Sequence, residues 1–545
     1  MAQGSISAIP PEILSTIFKY VHSEFLIEHD LRAVTRPQNQ RPHDPDEDSD
    51  DDSDSSDTSS SERAMNSVDL QKLVEIVKSP TFFPNAVASV CPFWEDVLSS
   101  TPEFWTTLVF FLDSNPTGTK EVKKYLSYSR DLPIDVFMTR RADLYHSPWM
   151  AEILETPWVR DNMKCLMPHI RRCRTLHVDV TTNISLPILP SHIRSSSTRL
   201  RTISFMSDIG LAVWEKDEGK HNFFTEPIVD RSESGSAFAF EPRLNVLSID
   251  GRNFQRAIAE NKSWLLELDD LEELTIFQYA PLAMSRKTCA SETSFDTHKC
   301  DECRLDLYET LEKIESFSSL INLKFDAIHF DISPADNEET TFDLSVVGNL
   351  TFEDMELEVI QEIFRVCSLG DVEDLASLTF THCPRLHHVK LPDFGSTSLC
   401  LSGLEGDVDL EPIVAAWYGS DLSITNCASF SDAFLELLGT AKVTELDGDD
   451  DENDEVSDFA TFLCHGMVSL DIHSVGSPLY SVGGLRKMVE ARNSMVDFSD
   501  DDWEHSVGCG PAIMRLNVTG QVPELSTEDH TWFRSRILRF SWGKE

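Results

Sequence analysis

The feature that most constrains this chain is a short apolar motif that keeps returning. Residues 200–205 read LRTISF, 244–249 LNVLSI, 271–276 LEELTI, 320–325 LINLKF and 375–380 LASLTF. The runs at 386–391 (LHHVKL) and 513–518 (IMRLNV) follow the same plan. Shorter pieces of it occur at 176–178 (LHV), 443–446 (VTEL) and 468–472 (VSLDI). Most fit L-x-x-L-x-ϕ, with ϕ apolar. Side chains alternate across a strand, so the second leucine and ϕ share one face and the residue between them takes the other. A motif repeated this often predicts many short strands that each bury one face.

Helical segments lie between the strands: 307–317 (LYETLEKIESF), 357–367 (LEVIQEIFRVC) and 431–438 (SDAFLELL). Alternation of helix and strand favours parallel strands. The leucine triplet is the strand half of a leucine-rich repeat, so an irregular α/β leucine-rich-repeat solenoid is expected over 141–545. An open α/β sheet would alternate in the same way, but no glycine-rich strand-to-helix loop accompanies the strands. Residues 529–537, followed by Phe540 and Trp542, read as a helix and a short strand that cap the array. Polar loops are expected at 215–236, 285–303, 333–343 and 447–455.

The first hundred residues follow another plan. Residues 9–18, IPPEILSTIF, place Ile13, Leu14, Ile17 and Phe18 on a helix opened by Pro10-Pro11, with Glu12 in the first turn where the helix dipole favours an acid. Residues 68–77 are a second helix that stops before Pro80. In 84–112, Val87, Val90, Cys91, Trp94 and Val97 or Leu98 recur at helical spacing, and Pro92 predicts a kink or two short helices. Ser99, Ser100 or Thr101 can cap a last turn opened by Pro102, ahead of Phe104 and Trp105.

In order, Pro10, Pro11, Glu12, Ile13, Leu14, Ile17, Phe18, Val90, Cys91, Trp94, Ser100, Thr101, Pro102 and Trp105 make this region resemble the F-box of basidiomycete fungal proteins. The chain departs from that pattern at Pro92-Phe93, and at 36–63, an acidic Ser/Asp-rich insertion expected to be disordered. The resemblance implies a small all-α F-box domain over 1–35 and 64–115. A linking helix and strand at 116–140 would lead into the solenoid.

Composition narrows the function classes. The chain has 545 residues and a formal charge of −47, with 93 acidic against 46 basic residues. A nucleic-acid binder would show a basic face, and the basic clusters here are short. No leader or apolar span is visible and cysteine usage is that of a reduced protein, so a cytoplasmic or nuclear protein away from membranes is expected. No nucleophile elbow, phosphate loop or zinc-helix motif appears. Cys300 and Cys303, with Cys289 and His298 nearby, lack the second pair of a structural zinc site. His387 and His388 alternate across their strand and cannot face one side. The aspartates at 449, 450, 451 and 454 lack the layout of a calcium loop. No catalytic residue, metal or cofactor is therefore expected.

What the resemblance implies is an adaptor rather than an enzyme. Its F-box docks on a Skp1-like protein, and through it on a cullin-RING ligase, while the repeat domain binds an unknown client. The expected docking residues are Pro10, Pro11, Ile13, Leu14 and Ile17, with Trp94 and Trp105 divided between core and interface. The rival is a non-catalytic repeat scaffold that no longer engages Skp1.

Overall fold

The structure, a computed structural model, describes residues 9–28, 67–79, 81–141, 148–187, 199–209, 244–259, 268–279, 305–332, 341–369, 375–384, 386, 391, 394–405, 408–443, 460–494 and 512–543. The acidic insertion 36–63, the cysteine cluster at 289–303, His387 and His388, the loop 215–236, residues 333–340 and the acidic run 447–455 lie outside the described residues. Packing divides the chain into two compact units, 1–273 and 274–545. Both are mixed α/β with parallel sheets.

The first unit opens with helices α1 (Pro11–Glu28), α2 (Ser67–Val77), α3 (Asn85–Ala88) and α4 (Pro92–Ser99), then a 3-10 turn at Pro102–Trp105. Pro92 does what a proline must: it is the first residue of α4, after an extended Cys91. Pro102 likewise opens the 3-10 turn after an extended Thr101, whose hydroxyl makes no capping bond, and Ser100 Oγ donates to Val97 O. Five parallel strands follow in chain order: β1 (Thr107–Phe111), β2 (Ile134–Thr139), β3 (Cys173–Thr182), β4 (Thr202–Ile209) and β5 (Val246–Asp250). Between them run α5 (Thr119–Tyr128), α6 (Pro148–Leu166) and, after β5, α7 (Gly251–Ala259).

Two expectations change here. Residues 107–111, placed in an all-helical domain, form the first strand, and the run TLVFF of β-branched and aromatic residues explains why. The expected boundary at 115/116 also falls inside a packed unit. Leu70, Leu73, Val74 and Val77 of α2 share one core cluster with Val109 of β1 and Phe137 of β2. The other face of these strands is buried too: Leu108, Val136, Leu176, Ile203 and Leu247 lie side by side in register and are at most 1% exposed. Strands covered on both faces read as continuous apolar runs, which is how β1 escapes the alternating pattern, whereas β2 falls within the strand expected at 116–140.

The second unit follows the motif closely. Its strands are β6 (Glu273–Tyr279), β7 (Asn322–Ile328), β8 (Asn349–Glu353), β9 (Ser377–Thr381), β10 (Ser398–Ser402), β11 (Asp421–Thr425), β12 (Ser469–Ser474), β13 (Arg515–Gly520) and β14 (Arg539–Trp542). From β7 to β14 neighbours pair in parallel with no shift in register. Leu323, Leu350, Leu378, Leu399, Leu422, Leu470 and Leu516 form one buried row, and Phe325, Phe352, Phe380, Leu401, Ile424, Ile472 and Val518 the next. Phe352 stacks between Phe325 and Phe380, with centroids 6.1 and 5.7 Å away. Two residues beyond the second row the backbone turns left-handed at Ala327, Asp354, His382, Gly403, Asn426 and Gly520. There the amides of Asp354, His382, Gly403 and Asn426 donate to carbonyls of the next strand. Helices α8 (Leu307–Glu315), α9 (Leu357–Val366), α10 (Glu411–Ala415), α11 (Asp432–Leu438), α12 (Val482–Asn493) and α13 (Thr527–Arg536) fill the connections. A small antiparallel pair, 441–443 with 460–462, stands apart from the parallel sheet.

The first apolar position of the motif is Leu320, Val347, Leu375, Met467, Ile513 and Ile537 in β7, β8, β9, β12, β13 and β14, but Ser396 and Gly419 before β10 and β11. Trp417 takes the space of both missing side chains. Its indole is 1% exposed and donates to Ser396 O at 2.9 Å. A Cβ on Gly419 would overlap Ser396 O and come within 2.5 Å of the Trp417 indole nitrogen. Gly419→Leu, which restores the repeat's usual residue, is therefore expected to lower stability by about 3 kcal/mol or more through overpacking. Urea unfolding checks this; an unchanged or raised midpoint would refute the close approach.

Candidate partner-docking face

Helix α1 begins because Pro10 and Pro11 fix its first turn: the amides of Ile13 and Leu14 donate to Pro10 O at 3.0 and 3.1 Å. Its inner face is Leu14, Phe18, His22 and Phe25, each one helical turn apart. Leu14 is 2% and Phe18 3% exposed. The Phe18 ring meets the half-buried Trp94 edge-on at 5.3 Å, and the Trp94 indole N–H finds no acceptor among the described residues. His22 packs against Phe83 and Phe104, and burial lowers its pKa. Phe25 meets Phe82 at 5.7 Å. Four aromatic contacts thus hold the helix in one rotational setting.

That setting leaves an apolar stripe outside. Ile13 is 53%, Ile17 44%, Tyr20 67% and Val21 40% exposed, with Pro10 and Pro11 exposed at the same end. Positions 13, 17, 20 and 21 recur at i, i+4, i+7 and i+8, a face of the kind that seeks a partner surface. Val90, ahead of α4, is exposed as well, while Cys91 is half-buried. Of the expected docking residues, Pro10, Pro11, Ile13 and Ile17 lie on the open face.

Leu14 and Trp105 do not. Leu14 is core because helical geometry turns it a third of a revolution from Ile13. Trp105 is 1% exposed, stacks on Tyr125 at 5.0 Å and donates its indole N–H to Leu98 O at 3.1 Å. Trp94 belongs mainly to the Phe18 contact. Tyr20 and Val21 extend this open face beyond the residues named from the sequence, and the four-residue spacing from Ile17 leads to Val21.

A second open surface lies in the second unit, on the face of β7–β14 opposite the leucine rows. Its central row is Lys324, Thr351, Thr379, Cys400, Ser423, Asp471, Asn517 and Ser541. The middle is short and uncharged. At one end Lys324 pairs with Asp326 and Glu353, at 3.2 and 2.5 Å; towards the other, Arg515 pairs with Asp471 and Asp421, at 2.9 and 3.3 Å. Such side chains can change without disturbing the buried rows.

Among the described residues, a cluster of titratable groups lies in the first unit, and its members mostly satisfy one another. Arg140 donates to Asp179 and Asp208 at 2.9 and 2.8 Å, Lys78 reaches Asp179 at 3.2 Å, and Glu155 accepts from the Thr181 amide and hydroxyl. Burial raises the Glu155 pKa. Burial opposes the ionised form of Asp179 also, but Arg140 and Lys78 prevail and hold its pKa low. Burial pushes His177 down to about 4, with Asp179 opposing and Lys78 assisting.

A histidine depressed on folding favours the native state above its unfolded pKa, near 6.5, and loses that contribution as pH falls towards 4. Over that window the loss is about 3 kcal/mol at roughly 1.4 kcal/mol per pH unit. His177→Gln is expected to flatten this part of the stability curve. Urea titrations at pH 6.5 and 4.5 check it; equal slopes in both proteins would refute it.

Among the described residues no group of acids, histidines or cysteines is arranged to hold a metal, and no helix is long and apolar enough to cross a membrane. Cys383 and Cys464 are buried, and burial raises both thiols to about 12, away from thiolate chemistry. No protein-family model matches the chain, and no curated protein matches its sequence.

Proposed function

We propose that this chain is a substrate-recognition adaptor of an SCF-type ubiquitin ligase. In this reading the first helices are an F-box that docks on a Skp1-like protein, and the strands of the second unit are irregular leucine-rich repeats that hold a client. The observation that carries it is the stripe Ile13, Ile17, Tyr20 and Val21, left uncovered on a helix whose opposite face is fully engaged. Such a stripe costs solubility unless a partner covers it. The in-register leucine rows support the second half: they leave one sheet face free of structural duty along eight strands. Any transfer chemistry belongs to the associated ligase, and the chain supplies proximity and orientation.

The test is calorimetric titration of the full chain with a purified Skp1-like adaptor. Binding with a dissociation constant at or below roughly micromolar is expected. Absence of binding by a folded chain would overturn the adaptor reading and leave the repeat scaffold that no longer engages Skp1.

A further inference from the structure

In a chain with 93 acidic residues against 46 basic ones, the last two strands and the helix between them bring three arginines together. An open cleft of about 780 Å³ is lined by Asp471, Arg515, Arg534, Leu538, Arg539 and Ser541, among others. Arg515 of β13 and Arg539 of β14 are register partners on one face of a parallel pair. Like charges placed opposite each other across strands destabilise a sheet. Arg515 is neutralised by Asp471 and Asp421. Among the described residues no carboxylate lies within ion-pair distance of Arg539 or of Arg534, and both are exposed. Beside them Leu538 is 71% exposed, the most open large apolar side chain in the described residues.

The backbone here is open as well. Among the described residues β14 is the last strand of its sheet. The amides of Arg539 and Gly543 donate to Met514 O and Val518 O, at 3.0 and 3.1 Å. Alternation along a parallel strand then directs the main-chain groups of Phe540 and Trp542 to the outer edge. An unpaired edge is a template for an added strand.

We propose that this edge and cleft bind an extended acidic segment of a client protein. The segment pairs with β14, sets carboxylates on Arg539 and Arg534, and lays an apolar side chain on Leu538. The proposal deepens the client-binding half of the function above. It does not depend on the docking of α1, and it is tested with no adaptor present.

The probe is a fluorescein-labelled peptide of alternating glutamate and valine, followed by anisotropy with the full chain. A lysine–valine peptide serves as control. Saturable binding of the acidic peptide alone is expected, weakening at least tenfold between 50 and 300 mM salt. Arg534→Glu with Arg539→Glu is expected to weaken it at least thirtyfold with the circular dichroism unchanged. A proline at the centre of the peptide, which removes a main-chain donor, is expected to weaken it by a similar factor. Equal binding by the double variant, equal binding of the lysine peptide, or no binding by the native chain would each overturn the proposal. So would insensitivity to the central proline combined with equal capture of a single-stranded oligonucleotide, which would mark a general polyanion patch.

Discussion

Ile13→Asp combined with Ile17→Asp is expected to reduce affinity for a Skp1-like adaptor by more than a hundredfold while leaving the unfolding midpoint within experimental error. Both side chains are about half exposed, so the substitutions remove little buried area from the free protein. At an interface the same positions would be desolvated. An anchor lost from the centre of such a patch costs about 2 kcal/mol or more, and an unpaired carboxylate adds a desolvation penalty. The contrast is Leu14→Asp. Leu14 is one residue away but 2% exposed, and a carboxylate there would enter the core beside Phe18. That variant is expected to lose binding and fold together, and so cannot report on docking. The separation is the test: titration and urea unfolding are run on both variants. If the Ile13/Ile17 variant binds normally, the stripe is not the docking face. If it unfolds, the stripe belongs to the core.

The strands that could be read in advance and those that could not differ in a few residues. β7, β9 and β13 announce themselves because Leu320, Leu375 and Ile513 stand three residues before the second buried position. β10 and β11 lack that signal, since Ser396 and Gly419 occupy the place and Trp417, which fills the space, lies outside the motif. β8 follows Val347 with Gly348 and Asn349, residues that favour turns over strands, and so carries no leading-leucine signal. At the amino end, a helix opened by Pro10-Pro11 and a break at Pro92 followed from spacing and proline geometry. The covering of β1 and β2 by α2 did not follow. Nothing local in TLVFF says that its second face will meet Leu70 and Leu73. The exposed stripe of α1 was half legible: spacing names the two faces of the helix but not which is inner, and that is decided by Trp94, Phe83, Phe104 and Phe82, far along the chain. The arginine pair across β13 and β14 was invisible for the same reason, because register joins residues that sequence separates.

The largest loss of stability from a single polar side chain is expected at Arg492. This residue of α12 is fully buried. Its guanidinium donates to Leu438 O and Leu463 O at 3.0 and 2.9 Å, and to Cys464 O at 2.7 Å, with the Phe462 ring 5.2 Å away. Burial lowers its pKa to about 10, so it still carries its charge at neutral pH. The charge costs desolvation, and the carbonyls at the end of α11 and in the turn after residue 462 offset that cost. Arg492→Leu removes the charge but leaves Leu438 O and Leu463 O without this donor, each worth about 1–3 kcal/mol when unsatisfied, while Cys464 O keeps the Met467 amide at 3.0 Å. The net expectation is a loss of about 2–5 kcal/mol, the cost of two buried carbonyls left without a donor. Arg492→Lys should recover less than half, since an ammonium lacks the planar fork that reaches diverging acceptors. Arg365→Ala is the control: its pair with Glu362 is at the surface and is expected to matter by less than about 1 kcal/mol. Urea unfolding of the three variants decides the matter. A loss at Arg492→Leu no greater than at Arg365→Ala would mean that the carbonyls find other donors, and that the buried guanidinium is dispensable to the fold.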